Sequence, residues 1–183
     1  LSVFTSSIQS SREQLRRIYE VTTVTARVAG YNTGVNASIG EELYRAILDS
    51  GFIKAHWALI QNKTEQQDLL RALNKTALVP DLEGWEPYII WQKGYDITAL
   101  EGDARVCLAP RSLELELGET VTLLLGGEYR KLHMELTVVG LYGKEYRSAD
   151  ELDVYYCPLT AMEDFLRENQ QEITYNILEM ELA

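Results

Sequence analysis

Two β-α-β patterns, one near each end of the chain, constrain the fold more than any other feature. In the first, residues 21–29 and 52–60 alternate between apolar and polar side chains like half-buried strands, and a helical segment that ends at Gly51 lies between them. In the second, the strand-like residues 152–157 and 173–182 flank another helical segment. Because a helix that connects two strands of one sheet packs on that sheet, we predict an α+β fold. Both units would form one ferredoxin-like subdomain with the helices on one face.

A serine or threonine followed three residues later by glutamate or glutamine predicts the start of a helix, because the two side chains can cap free backbone N–H groups. Three pairs have this spacing: Ser38 with Glu41, Thr64 with Gln67, and Thr160 with Glu163. The first and the last pair fall inside the two β-α-β units. The middle pair predicts an additional helix that bears Leu69, Leu70 and Leu73.

The middle of the chain is predicted to be rich in β-strands. Short strand-like runs occupy residues 88–92 and 104–109. Alternating runs on both sides of Gly126-Gly127 predict a hairpin, because a pair of glycines supports the tight turn that joins two antiparallel strands. This part of the chain is therefore predicted to form a β-rich lobe.

The first residues are predicted to form a separate helix, since Leu1, Phe4, Ile8 and Leu15 recur at helical spacing and lie on one stripe. The chain is thus predicted to have three parts: a helix at 1–19, a ferredoxin-like α+β subdomain built from 20–62 plus 146–183, and an inserted β-rich lobe at 63–145.

Composition and charge exclude several classes of protein. The chain has 183 residues, of which 46% are hydrophobic and 25% are charged, which is ordinary for a globular domain. Its net charge of −11 argues against binding to nucleic acid, since phosphate contacts need clustered lysine and arginine. No apolar run in the sequence approaches the roughly 20 residues that cross a bilayer.

No pattern of residues indicates catalysis. The two histidines, His56 and His133, and the two cysteines, Cys107 and Cys157, are too scattered for a zinc site. There is no P-loop, no Rossmann glycine pattern and no G-x-S-x-G elbow. We therefore predict no catalytic residue, no metal and no cofactor. The sequence leaves open whether the two cysteines form a disulfide or are two buried thiols.

Four aromatic residues are close together in the middle of the chain: Trp85, Tyr88, Trp91 and Tyr95. An exposed aromatic patch is a typical contact surface for a peptide or a lipid-like ligand. These side chains would equally serve as the core of a small lobe, which is the more frequent role of clustered aromatic residues.

Three segments of the chain resemble the extracytoplasmic (MacB-like periplasmic core) domain of ABC transporter permeases of the MacB/FtsX-like type. They are GYDITALEGDARVCLAPRSLELELGETVTLLL (94–125), LTVVGLYG (136–143) and VYYCPLTAMEDFL (154–166). The resemblance covers most of the chain and is strongest from 95 to 166. It implies a porter-like part with an inserted lobe, which is the arrangement that the β-α-β patterns predict independently.

The resemblance implies a non-catalytic domain on the extracytoplasmic face of the cell membrane, between the first two membrane helices of a permease. A cytoplasmic ATPase subunit would hydrolyse ATP, and the movement would pass to a domain that engages a peptide, a lipoprotein, an antibiotic-like ligand or a partner protein. Residues 1–19 would be the stalk that transmits the movement, with Leu1, Phe4 and Ile8 at its interface, which could also meet a second permease copy. Two alternatives are a free-standing ligand-binding or adaptor domain and a small hydrolase that uses carboxylates.

Overall fold

The computed structural model describes residues 25–29, 38–74, 88–126, 131–143 and 152–182. Its helices are α1 (Glu41–Asp49) and α2 (Leu159–Glu168), with short 3₁₀ helices at Ile97–Glu101 and Arg111–Leu113. Its strands are β1 (Thr25–Ala29), β2 (Ile39–Gly40), β3 (Ile53–Lys63), β4 (Leu69–Leu73), β5 (Ile90–Trp91), β6 (Val106–Pro110), β7 (Thr120–Leu125), β8 (Leu132–Tyr142), β9 (Val154–Pro158), β10 (Thr174–Tyr175) and β11 (Ile177–Leu182). The predicted α+β class is confirmed.

Nine of the described strands form one mixed sheet, in the order β1-β11-β3-β4-β9-β6-β8-β5, with β7 also paired to β8. Strand β11 lies between β1 and β3 and is antiparallel to both. Helix α2 lies in the connection from β9 to β11, and strands β3 and β4 lie between these two strands in the sheet. The two β-α-β units predicted from the sequence therefore interleave in a single sheet.

The prediction of a helix after Thr64 is wrong. Leu69–Leu73 is strand β4, antiparallel to β3 and parallel to β9. The Thr64 hydroxyl accepts a hydrogen bond from the backbone N–H of Asp68 at 3.2 Å and supports the turn between β3 and β4. The spacing of the leucines fits a helix locally, but pairing on both sides satisfies the backbone of the whole strand, and such tertiary contacts outweigh local propensity.

The other two capping pairs correctly predict a helix, but neither Ser38 nor Thr160 is the N-cap residue. Helix α1 begins at Glu41, and its N-cap residue is Gly40. Helix α2 begins at Leu159 after Pro158, so Thr160 lies inside it. Neither N-cap residue makes a capping hydrogen bond with its side chain.

The face of the sheet that carries α1 and α2 holds the larger hydrophobic core. Its members come from both helices and from strands of both the predicted subdomain and the predicted lobe; among the fully buried ones are Leu70, Met134, Leu136, Met162 and Leu166. On the opposite face, the 3₁₀ helix Ile97–Glu101 covers a smaller cluster, made of Leu73, Ile89, Leu100, Leu108 and Tyr156. The boundary between subdomain and lobe stays a prediction, while the larger core is continuous across it.

Polar contacts join the two helices to each other and to β10. The rings of Tyr44 in α1 and Tyr175 in β10 stack at 3.9 Å between centroids. Glu163 in α2 is buried, and its carboxylate accepts hydrogen bonds from Arg45 Nη2 at 2.9 Å and from the Tyr175 hydroxyl at 2.5 Å. Burial, followed by the nearby Glu163 charge, raises the pKa of Tyr44 to about 12. Burial and the hydrogen bond to Glu163 likewise raise the pKa of Tyr175.

Candidate functional site

Strand β5 lies at one end of the sheet and pairs with β8 through two residues. Ile90 lies opposite Leu141, and Trp91 lies opposite Gly140. The backbone N–H of Gln92 donates to the Val139 carbonyl at 2.8 Å, which extends the pairing by one residue. Among the described strands, β5 pairs only with β8, and a strand edge of this kind can pair with an additional strand or a peptide where it is accessible.

The side chains around β5 alternate between the interior and solvent, as the two-residue period of a strand requires. Ile89 and Trp91 pack against the smaller hydrophobic cluster. Tyr88 and Ile90 point away from it and are 69% and 45% exposed. Tyr95, in the turn that follows, is 41% exposed. We call Tyr88, Ile90 and Tyr95 the β5 surface.

Trp91 is held against β8 because residue 140 is a glycine. A Cβ atom at Gly140 would lie 2.3 Å from Leu108 Cδ2 and 3.0 Å from Trp91 Cε3. The indole therefore packs close to the backbone of β8, and Trp91 is half-buried. This packing fixes which side chains of β5 face outward.

A groove of about 270 Å³ lies next to the β5 surface, and its walls include Tyr95, Asp96, Thr98 and Asp103. The Asp96 carboxylate accepts hydrogen bonds from the hydroxyl and the backbone N–H of Thr98, the latter at 2.9 Å. These bonds, the side-chain one first, lower the pKa of Asp96. With a tyrosine and two carboxylates in its walls, the groove suits a cationic or hydrogen-bond-donating group beside an apolar one.

The structure brings together part of the predicted aromatic site. Tyr88 and Tyr95 are exposed at and after β5, and Trp91 is partly buried and packs against the smaller cluster. Trp85 lies outside the described residues, as do the predicted stalk residues Leu1, Phe4 and Ile8. A role of the four aromatic residues in ligand contact stays a prediction.

A second region of interest is the end of the sheet at which β1 begins and β11 finishes. Thr25, the first residue of β1, lies opposite Glu181 of β11, and Leu182 lies opposite Ile53 of β3. Phe52, immediately before β3, is 73% exposed. We call this end the base of the sheet. Phe52 did not emerge as a candidate from the sequence, although its position directly after the helix-ending Gly51 places it in a turn.

The described residues carry no site for metal chemistry and no bilayer-spanning helix. No group of three or more potential metal ligands occurs in those parts of the chain. Both cysteines are buried, and both thiols are free. None of the described helices has the length and apolar character that crossing a membrane requires.

Comparison of the fold with solved structures finds similar domains in transporters. The chain is similar to the periplasmic region of MacB from Actinobacillus actinomycetemcomitans, with 12% identity over 88% of this chain and 75% of the other and a TM-score of 0.48. It is also similar to the extracellular domain of the noncanonic ABC-type transporter YknZ from Gram-positive bacteria, with 14% identity over 87% of this chain and 84% of the other and a TM-score of 0.47. A comparison with protein-family models and with curated protein sequences finds no match.

Proposed function

We propose that this chain is the extracytoplasmic domain of an ABC transporter permease, inserted between two membrane helices of the permease. The observation that carries the proposal is the pairing of Thr25 with Glu181, which places the start of β1 and the end of β11 side by side at the base of the sheet. A domain whose early and late segments lie side by side can be inserted into another fold without forcing its host segments apart. The segments that resemble the permease family support the same assignment.

The domain itself is non-catalytic in this proposal. A cytoplasmic ATPase subunit hydrolyses ATP, and movement of the membrane helices reaches the domain at the base. Strand β11 is hydrogen-bonded to β1 on one side and to β3 on the other, so a displacement at the base acts on the sheet through two neighbouring ladders. The predicted stalk, residues 1–19, precedes β1 and would deliver that displacement, which serves export, extraction or signalling.

The β5 surface is the part of the domain that we propose to contact a peptide, a lipoprotein or an antibiotic-like ligand. It combines exposed apolar side chains, a strand edge that pairs with none of the described strands, and a groove with carboxylates. Main-chain pairing to an open edge provides affinity, and pockets beside it provide specificity. The same surface favours the alternative function, a free-standing ligand-binding or adaptor domain. The flanking membrane helices that a permease must have distinguish the two.

The location of the domain is testable by cysteine labelling of the full-length permease in intact cells. Thr122 in β7 is exposed, so Thr122→Cys presents a new thiol, whereas the natural Cys107 and Cys157 are buried and give a low background. We expect a membrane-impermeant maleimide to label Thr122→Cys in intact cells and to leave the wild type unlabelled. Labelling of the variant only after the cells are permeabilised would place the domain in the cytoplasm and would refute the proposal. Release of the labelled protein from the membrane by a salt wash would favour the free-standing alternative.

A further inference from the structure

We propose that Cys107 and Cys157 form a disulfide bond that links β6 to β9 inside the larger core. The two strands are antiparallel neighbours, and Leu108 of β6 lies opposite Tyr156 of β9. Cys107 comes one residue before Leu108 in β6, and Cys157 comes one residue after Tyr156 in β9. Because the strands are antiparallel, the two cysteines therefore lie opposite each other. Both thiols are free in the structure, which therefore shows the reduced state. The disulfide is the state that we infer for protein that folds in the presence of an oxidant.

The separation of the two strands suits the bond. Directly opposite residues of antiparallel strands have Cα atoms about 4.5–5.5 Å apart, and disulfides join residues whose Cα atoms are about 4.4–6.8 Å apart. A register shift between Cys107 and Leu108 concerns the other neighbour of β6, where the extra residue is Val139 of β8. The printed pair between β6 and β9, Leu108 with Tyr156, carries no such shift.

The side chains also share one environment. Residues alternate along both strands, so Leu108 and Tyr156 belong to the smaller cluster, while Cys107 and Cys157 both belong to the larger core and are fully buried. Burial raises the pKa of Cys107 to about 12. Burial, followed by the proximity of Cys107, raises the pKa of Cys157. Because only the thiolate reacts, the folded, reduced protein exchanges slowly, and the bond has to form while the chain is still folding.

The chemistry requires an external disulfide of the glutathione type. The Cys107 thiolate attacks one sulfur of glutathione disulfide, which gives a mixed disulfide and releases one glutathione thiolate. The Cys157 thiolate then attacks the Cys107 sulfur and displaces the second glutathione. The two cysteines lose two electrons, one glutathione disulfide gains them, and the two thiol protons end on the released glutathiones. Oxidants of this class act in extracytoplasmic compartments, but the inference rests on the strand register and is independent of the proposed function.

The test is to refold the full chain from urea in a buffer of reduced and oxidised glutathione, alkylate free thiols and map the peptides by mass spectrometry. We expect the peptide with Cys107 to be linked to the peptide with Cys157, at a mass lower by two hydrogens than the reduced pair. The effective concentration of the thiol pair, measured against glutathione, should be at least about thirtyfold higher in native buffer than in urea, which corresponds to the lower end of the usual stabilisation by a disulfide. Protein folded without oxidant and oxidised afterwards should form the bond much more slowly.

A matched control moves one cysteine without changing the composition of the core. The double variant Cys107→Ala/Ala109→Cys keeps a buried thiol on the same face of β6 but places it two residues away from the position opposite Cys157. We expect its effective concentration to fall to near the urea value, with circular dichroism showing that it folds. Equal linkage in the shifted variant, or an unchanged effective concentration of the natural pair between native buffer and urea, would overturn the inference.

Discussion

The two faces of the sheet are covered in different ways, and the difference separates what holds the domain together from what the domain can present to a partner. One face lies under both helices, and its core runs without interruption through strands of both ends and the middle of the chain. The other face lies under the 3₁₀ helix Ile97–Glu101, and its cluster is small and borders the β5 surface. Most of the folding free energy therefore comes from the helix-covered face, because burial of apolar area is the main favourable contribution.

The acidic residues of the two faces make the same distinction. Glu163 is buried between the helices and accepts hydrogen bonds from Arg45 and Tyr175, which belong to two other elements. Asp96 stands in the groove beside Tyr95 and accepts hydrogen bonds from Thr98 in its own turn. The first carboxylate ties elements together, whereas the second is available to a ligand.

The largest expected effect tests where the stability lies. Leu166→Ala removes a fully buried side chain of α2 from the larger core and should lower the free energy of unfolding by about 2–5 kcal/mol. Leu100→Ala removes an equally buried leucine from the smaller cluster, and we expect a loss at the lower end of that range, because a short 3₁₀ helix can settle into the space. Urea unfolding measures both. A greater loss for Leu100→Ala would reverse the assignment of the two faces.

A second test concerns the buried carboxylate. Glu163→Gln removes the charge that faces Arg45 and leaves the buried hydrogen bonds poorly satisfied, so we expect a loss of about 1–3 kcal/mol in the free energy of unfolding. Glu168→Gln is the matched control, since Glu168 also pairs with an arginine, Arg105 at 2.5 Å, but is exposed. The control should change stability by less than about 0.5 kcal/mol. Similar losses in the two variants would mean that burial of Glu163 has no special role.

The helix-covered face should also make the domain sensitive to alkali. The pKa of Tyr44 rises from 10.0 to about 12 on folding, and that of Tyr175 is raised as well. The two tyrosines therefore make their full contribution to the free energy of unfolding below pH 10. This contribution is lost as the pH rises above 10, since the unfolded chain then releases protons that the folded chain retains. The expected slope is up to about 1.4 kcal/mol per pH unit for each tyrosine. Urea unfolding between pH 8 and pH 11 should show a smaller slope for Tyr44→Phe, and an unchanged slope would contradict this origin.

The smallest expected effects are on the exposed residues. Tyr88→Ala and Ile90→Ala should each change the free energy of unfolding by less than about 0.5 kcal/mol, because neither side chain is part of a core. If the proposed function holds and the β5 surface contacts the ligand, both variants should impair transport or signalling by the full-length protein in cells. Trp91→Ala is the comparison variant, since it should destabilise the isolated domain measurably. Normal activity of Tyr88→Ala and Ile90→Ala in cells would remove the β5 surface from the mechanism.

The fold could be predicted from the sequence wherever periodicity and geometry agree. The alternation in 120–125 and 132–142 has one interpretation, and the predicted antiparallel pairing of β7 with β8 is present. Gly127 of the predicted turn lies outside the described residues. Leu69, Leu70 and Leu73 satisfy a helical period and a strand period almost equally, so local pattern could not decide between them. What decides is pairing with β9, which lies far along the chain.

The candidate site was partly predictable for the same reason. The aromatic composition around β5 is visible in the sequence. The two-residue period of a strand predicts that two of the four side chains of residues 88–91 face inward. Which pair faces inward depends on the space above Gly140 and beside Leu108, which belong to β8 and β6. The opposition of Cys107 and Cys157 depends in turn on the register of β6 and β9, and no local pattern records that register.

The position of β11 between β1 and β3 has a consequence for how the domain is made. Translation proceeds from the N-terminus, so β1 has no described partner, and one edge of β3 stays open, until residues 177–182 have left the ribosome. Unpaired strand edges invite pairing with other chains during that interval, and closing contacts between such distant residues slows folding. The sheet can therefore close only after its last described strand has been synthesised. Protection of the nascent chain would matter more for this domain than for one whose first strand pairs with its nearest neighbour in sequence.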